Sequence, residues 1–240
     1  SSRREIRLIT GRPLRLCFRR SQRARRLSIH ASARAGIEVV LPRRATVAEA
    51  EALLVAKAAW VARQADHYDV RDGPRQRVWG TDSELIVLGR PRRLDLVALP
   101  HGRSRPRARL DDASLRLELP AEQILDPRPA LERWLRRFAG THLRARTEEL
   151  GRPRGLVPER VIVGERTSRW GSCSWRGTIS YCYRLVMAPA VVVDAVVIHE
   201  LCHLRHANHG RRFQALVRQH CPNHDRHMAW LRAHGTELEL

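Results

Sequence analysis

Lysine is almost missing from this chain: Lys57 is the only one, so 44 of the 45 basic residues are arginine. Long apolar runs are missing too. The longest, Ala188 to Ile198, is interrupted by Pro189 and Asp194 and falls well short of the ~20 apolar residues that a membrane-spanning helix needs. The five cysteines, at 17, 173, 182, 202 and 221, are an odd number without zinc-ribbon spacing. They read as free thiols in a reducing, cytoplasmic setting. The opening Ser-Ser-Arg-Arg-Glu-Ile has no apolar core and reads as a processed end instead of a secretion signal. These absences set aside the membrane and secreted disulfide-scaffold classes. What remains, 240 residues with 43% apolar and 29% charged, is ordinary for a globular protein of one large domain or two small ones.

The net charge of +20 invites a nucleic-acid reading. Against it stands the arginine bias, which is so extreme that it resembles a genome-wide codon preference. The basic clusters (Arg19-Arg20, Arg23 to Arg26, Arg103 to Arg109) are also dispersed along the chain, as a solvated basic surface would be. Charge alone assigns no partner.

The first half reads as short strands. Ile6 to Ile9, Leu14 to Phe18, Arg26 to Ala31 and Gly36 to Leu41 alternate apolar and polar residues. Thr46-Val47-Ala48-Glu49 is a capping box that opens a helix reaching about His67. Its stripe of Val47, Ala50, Leu53, Leu54, Ala58 and Val61 is spaced for one buried face. Strands resume at Leu85 to Gly89, Arg93 to Ala98 and Leu115 to Leu119, with an exposed loop expected over Pro100 to Arg109. Asp126-Pro127 starts a helix to about Leu150. Beyond Gly151 come a strand at Arg160 to Val163, a hairpin from Trp170 to Val186 turning at Arg176-Gly177, and helix from Ala190 to the end. No internal repeat is visible. The division expected is a mostly-β N-terminal part with one long helix, residues 1–124, and an α+β C-terminal domain, residues 125–240.

The chemistry is concentrated in His199-Glu200-Leu201-Cys202-His203. Histidines at i and i+4 share a helical face, so both imidazoles can reach one cation. Zinc takes such nitrogens at ~2.0–2.1 Å, and a catalytic site leaves one position for water. Glu200 is placed to take a proton from that water and hand it to a leaving group. His209 follows ten residues after His199, the third-ligand spacing of metzincin sites, with His206 where those carry a turn glycine. The chain must reverse for His209 to swing back, and Asn208 and Gly210 suit such a turn. His206 is the competing third ligand, but on a continuous helix it lies ~10 Å along the axis from His199, which favours His209. His220, His224, His227 and His234 read mainly as exposed or capping residues, with a supporting place behind a metal ligand left open for one of them.

These segments resemble the YgjP-like metallopeptidase family, distant relatives of SprT-like and other zincin proteases. The resemblance rests on Ser168-Arg169-Trp170-Gly171-Ser172-Cys173, Arg184 to Pro189, His199 to Leu204, Asn208-His209, and the closing Met228 to Gly235. It covers nearly the whole chain. It implies a zincin-like C-terminal domain with an HExxH active-site helix and one zinc per chain on His199, His203 and His209, with Glu200 as base. Cys182-Tyr183 and Phe213-Gln214 depart from the family's usual Asn-Trp and Phe-Trp.

In zincins an edge strand beside the active-site helix pairs with extended substrate, and the 170–186 hairpin can supply one. Arg169 and Arg184 are candidates for stabilising an oxyanion or anchoring an anionic group; Arg184 is the one assigned a catalytic part. Cys173 and Cys182 read as buried free thiols. The leading expectation is a zinc metallohydrolase acting on peptide or protein. A metal-dependent nucleotide pyrophosphatase, or a basic nucleic-acid-associated protein with a structural metal, stays open. No membrane partner is expected, and the oligomeric state is unassigned.

Overall fold

Two features of the N-terminal sequence do most to shape its structure: period-two alternation in the strands and the reciprocal cap at Thr46. The computed structural model describes residues 2–7, 13–22, 24–32, 35–71, 78–100, 105–166, 169–238 and 240. Ile9, Arg23, Arg103 and Ser168, each named above, lie outside the described residues. The chain divides into two compact units, Ser1–Arg77 with Glu239–Leu240, and Val78–Leu238. A boundary at 124–125 falls inside the second unit.

In the first unit, β1 (Ser2–Arg7), β2 (Pro13–Ser21), β3 (Ser28–Ser32) and β4 (Gly36–Pro42) form one sheet in the order β1-β2-β4-β3. The central pair β2/β4 is parallel and the two outer pairs are antiparallel. Leu14, Leu16 and Phe18 of β2 and Ile37, Val39 and Leu41 of β4 point to one face and are buried, as alternation requires. The sequence suggested one helix after Thr46; there are two, α1 (Val47–Ala56) and α2 (Ala58–His67), kinked at Lys57 (φ −109°, ψ 14°). The buried stripe Ala50, Leu54, Ala58, Val61, Ala65 continues across the kink and packs on the sheet. The capping box forms: Thr46 Oγ1 accepts from the Glu49 N–H at 3.2 Å, and Glu49 Oε2 accepts from the Thr46 N–H at 2.7 Å.

The second unit opens with another four-stranded sheet, β5 (Glu84–Val87), β6 (Arg90–Ala98), β7 (Arg107–Leu110) and β8 (Ser114–Leu119), in the order β5-β6-β8-β7. Its parallel and antiparallel pairs repeat those of the first sheet one for one. The parallel partners stand 21 residues apart in both, Leu16 with Ile37 and Leu94 with Leu115. An internal repeat invisible in the residues is therefore present in the topology. β7 corrects the expectation of a loop through Arg109: its side chains are half-buried at best, but pairing with β8 satisfies its backbone.

Helices α3 (Ala121–Ile124) and α4 (Arg128–Gly151) follow. The N-cap of α4 is Pro127, with Asp126 Oδ1 accepting from the Arg128 N–H at 3.3 Å. Strands β9 (Arg160–Gly164), β10 (Gly171–Cys173) and β11 (Thr178–Cys182) make a small sheet with β11 in the middle and β10 at an edge. After a 3₁₀ segment at Tyr183–Met187 come α5 (Ala190–Cys202), α6 (Arg211–His220) and α7 (His224–His234). The helical stretch expected from Ala190 is three helices, broken at 203–210 and 221–223. Apolar almost all round, α5 is correspondingly buried, from Val192 to Cys202. Arg146 of α4 grips it by forking onto both carboxylate oxygens of Asp194 at 2.6 Å. The first sheet of this unit braces the start of α5. The two-residue turn Leu88-Gly89 (φ 51° and 74°) donates the Leu88 N–H to Val186 O at 2.6 Å and sets Gly89 against Pro189. Among the described residues no helix is long and apolar enough to cross a membrane.

Candidate metal centre

The last turn of α5 places His199 and His203 on one face, and the helix stops there, with His203 as its C-cap. The chain then reverses. Neither Asn208 nor Gly210 adopts a left-handed conformation to achieve this. Instead Asn208 Oδ1 accepts from the Gly210 N–H at 3.3 Å, and Gly210 (φ −68°, ψ −177°) caps α6 in extended geometry. The reversal brings His209 Nε2 to 3.2 Å from His199 Nε2 and 3.2 Å from His203 Nε2. One ligand atom from each of the three histidines lies within 4.8 Å of the other two. His206 takes a different part: its backbone carbonyl faces His203 Nδ1 at 3.0 Å. Phe213, 1% exposed, floors the cluster, with its ring 4.3 Å from that of His203, 4.9 Å from His209 and 5.0 Å from His199.

The proton positions follow from the partners. A carbonyl only accepts, so His203 Nδ1 carries the hydrogen and its Nε2 is a bare lone pair. Burial, joined by the charges of His203, His224 and His209, drives His199 down to about 3, and burial lowers His203 as well. Imidazole nitrogens converging on one point suit a cation between them. A tetrahedral ion at 2.0–2.1 Å from each nitrogen would hold them about 3.3–3.4 Å apart. The two 3.2 Å gaps, from His209 Nε2 to His199 and to His203, suit such a donor set.

Glu200, on the same helix, is 5% exposed. Its Oε2 accepts no hydrogen bond among the described residues. Burial pushes its carboxyl up to about 7, with the charge of Arg169 working against that rise. The side chain lies in space left by Gly171 on β10, where an added Cβ would come within 2.5 Å of Oε1 and 2.6 Å of Cγ. Cys173, two residues along β10, is half-buried instead of fully buried, and burial together with the Glu200 charge raises its thiol. Cys182 is buried, and all five cysteines are free.

The two arginines singled out in the sequence stand in different surroundings. Arg184 is 8% exposed, donating from Nη1 to Glu165 Oε1 at 2.7 Å and from Nη2 to Arg166 O at 3.0 Å. Arg169 is exposed, and its charge acts on Glu200. Two contributors escaped the sequence. Gly171 had only its place in a motif and no chemistry to mark it. His224, read there among the exposed or capping histidines, is 7% exposed with Nε2 3.0 Å from His199 Nδ1. Its one signal was the Asn223-His224-Asp225 start of a helix, which does not reveal what the ring touches.

A family model described as YgjP-like, metallopeptidase domain, matches residues 25–234. No curated protein and no solved structure matches the chain. The family implies a divalent metal, typically zinc, and three clustered histidines suited to hold one lie inside the matched span. A hydrolase-type domain running from the first sheet through the histidine cluster, this chain belongs to the YgjP-like metallopeptidase family.

Proposed function

We propose that the protein is a zinc-dependent peptidase in which His199, His203 and His209 hold the ion and Glu200 is the general base. One observation carries this reading: three imidazole Nε2 atoms converge on the helix that also carries a buried carboxylate, Glu200, whose Oε2 has no partner among the described residues. When bound, zinc supplies Lewis acidity, polarising a carbonyl and drawing the pKa of a water toward ~7. Glu200 supplies the proton traffic. A carboxyl raised toward neutrality by burial can both take a proton and give it back near physiological pH. The free side of β10, an edge strand next to Glu200, can pair with an extended peptide backbone and hold its scissile bond in place. For developing negative charge, Arg169 suits better than Arg184, because Arg184 is already committed to Glu165 and the Arg166 carbonyl.

The test begins with metal content by mass spectrometry of protein purified without added metal. About one zinc per chain is expected in wild type, greatly reduced in His209→Ala. Peptides and nucleoside triphosphates are then screened together. The reading expects peptide cleavage that Glu200→Gln abolishes while zinc stays bound, and that Arg169→Ala slows more than Arg184→Ala does relative to folded protein. Zinc undisturbed by His209→Ala overturns the ligand assignment. Turnover of the nucleotides alone overturns the substrate class.

A further inference from the structure

We infer that His224 is a positioning residue for the metal centre, fixing which nitrogen of His199 is free to bind. The inference rests on the reading of His199 as a ligand and extends it to a residue on another helix. His224 opens α7 and is 7% exposed, whereas its neighbour Asp225 has a side chain 82% exposed. A histidine so buried needs partners, and it has one at each nitrogen. Nε2 lies 3.0 Å from His199 Nδ1 and Nδ1 lies 3.4 Å from Asp225 Oδ1. The rings of His199 and His224 are inclined by only 10°, with centroids 5.1 Å apart. A nitrogen gap so much shorter than the centroid separation means that the rings meet edge to edge, as an in-line hydrogen bond requires.

The sense of that bond follows from the far end. A carboxylate only accepts, so Asp225 calls for a hydrogen on His224 Nδ1. A neutral His224 then offers Nε2 as an acceptor, which calls for the hydrogen of His199 on Nδ1. His199 Nε2 is left bare, and it is the atom that points at His209 and His203. An exposed carboxylate thus sets, through one buried imidazole, the tautomer of a metal ligand and the plane of its ring. Such partners of liganding histidines raise their basicity, and losing them weakens metal binding by about 10- to 100-fold.

The experiment measures zinc dissociation constants on chelator-stripped, full-length protein by competition with a chromophoric chelator. Far-UV circular dichroism checks the fold of each variant. His224→Phe keeps the ring and its packing but accepts nothing, and should bind zinc about 10- to 100-fold more weakly. His224→Gln, whose carbonyl oxygen can accept from His199 Nδ1, should recover most of the loss. Asp225→Ala, a surface change that leaves packing intact, should weaken binding by a smaller factor. Imidazole ¹⁵N spectra of zinc-loaded protein add a readout independent of affinity: a slowly exchanging His199 Nδ1–H present in wild type and His224→Gln and absent from His224→Phe. If His224→Phe binds zinc like wild type while His209→Ala does not, the inference is overturned and the three-histidine site stands. If His209→Ala also binds like wild type, the ligand assignment fails and takes the inference with it.

Discussion

Replacing Gly171 by alanine puts the link between β10 and Glu200 under direct strain. No left-handed backbone at Gly171 stands in the way of a side chain. On backbone grounds alone, alanine would stabilise by about 0.4–1 kcal/mol through the unfolded chain. Any loss must therefore come from contact. The new methyl would sit 2.5 Å from Glu200 Oε1, 2.6 Å from Cγ and 2.8 Å from Cδ, about 1 Å inside van der Waals separation. Turning the carboxylate alone does not relieve this, because the Cγ stem clashes as well. Either Glu200 leaves its rotamer or the strand retreats by about an ångström, and overpacking of this kind costs about 1–3 kcal/mol. Set against the entropic gain, the net destabilisation should be about 1–2 kcal/mol. A base misplaced by 1 Å loses on the order of 10²-fold in rate. The assay is steady-state kinetics on the best peptide from the screen, with zinc content and urea unfolding measured on the same preparations. The expected result is kcat/KM down about 10²-fold with zinc retained, and little further loss when Gly171→Ala is added to Glu200→Gln, since the two act through one group. Wild-type kcat/KM in Gly171→Ala would refute the reasoning, as would a full additional loss in the Glu200→Gln background.

Three further outcomes follow from contacts away from the histidines. Arg184→Ala should lower stability by about 1–2 kcal/mol through its lost hydrogen bonds to Glu165 and the Arg166 carbonyl, because Glu165 is partly exposed and keeps Arg136 at 2.6 Å, and Arg184→Lys should restore only part because an ammonium cannot fork; urea midpoints within experimental error of wild type would contradict this. Gly89→Ala sets a Cβ 2.6 Å from Pro189 Cα at a φ of 74° and should cost about 2–4 kcal/mol, read as a fall in Tm; an unchanged Tm would show that the turn is not braced against α5. His142 is held below its ordinary value by burial and then by Arg146, with Asp194 and Glu149 opposing. Its folded form therefore gives up its proton more readily than the unfolded chain, so its contribution to stability is complete above about pH 6.5 and drains away as pH falls below that. His142→Gln should make the decline of stability between pH 7 and 5 shallower than in wild type, and an equal slope would contradict the assignment.

What could be read from the residues were the patterns whose cause is local. The Thr46–Glu49 cap, the alternation of β2 and β4, the β10–β11 hairpin turning at Arg176-Gly177, and the i, i+4 histidines each express an interaction within a few positions. β7 escaped because its polar Arg107-Ala108-Arg109-Leu110 is a strand only by pairing with β8. The kink at Lys57 escaped because the buried stripe runs on through it. At the site, His209 could be placed by counting, since a reversal after His203 is the one way back to the helix face. His224 and Gly171 could not. The first depends on where α7 docks, and the second matters through the volume it leaves empty.

The repeated sheet shows one pairing pattern put to a particular use in its second occurrence. Two sheets of one topology, each with its parallel partners 21 residues apart and each followed by helices, build one pairing pattern twice from unlike residues. The strand pairing and the spacing of the parallel partners are shared, whereas the first hairpin connections differ in length, Arg7 to Pro13 against Val87 to Arg90. The second sheet has a duty that constrains it: its first hairpin turn, Leu88-Gly89, seats the segment that launches the histidine-bearing helix. Related chains should therefore hold the turn between β5 and β6 to two residues.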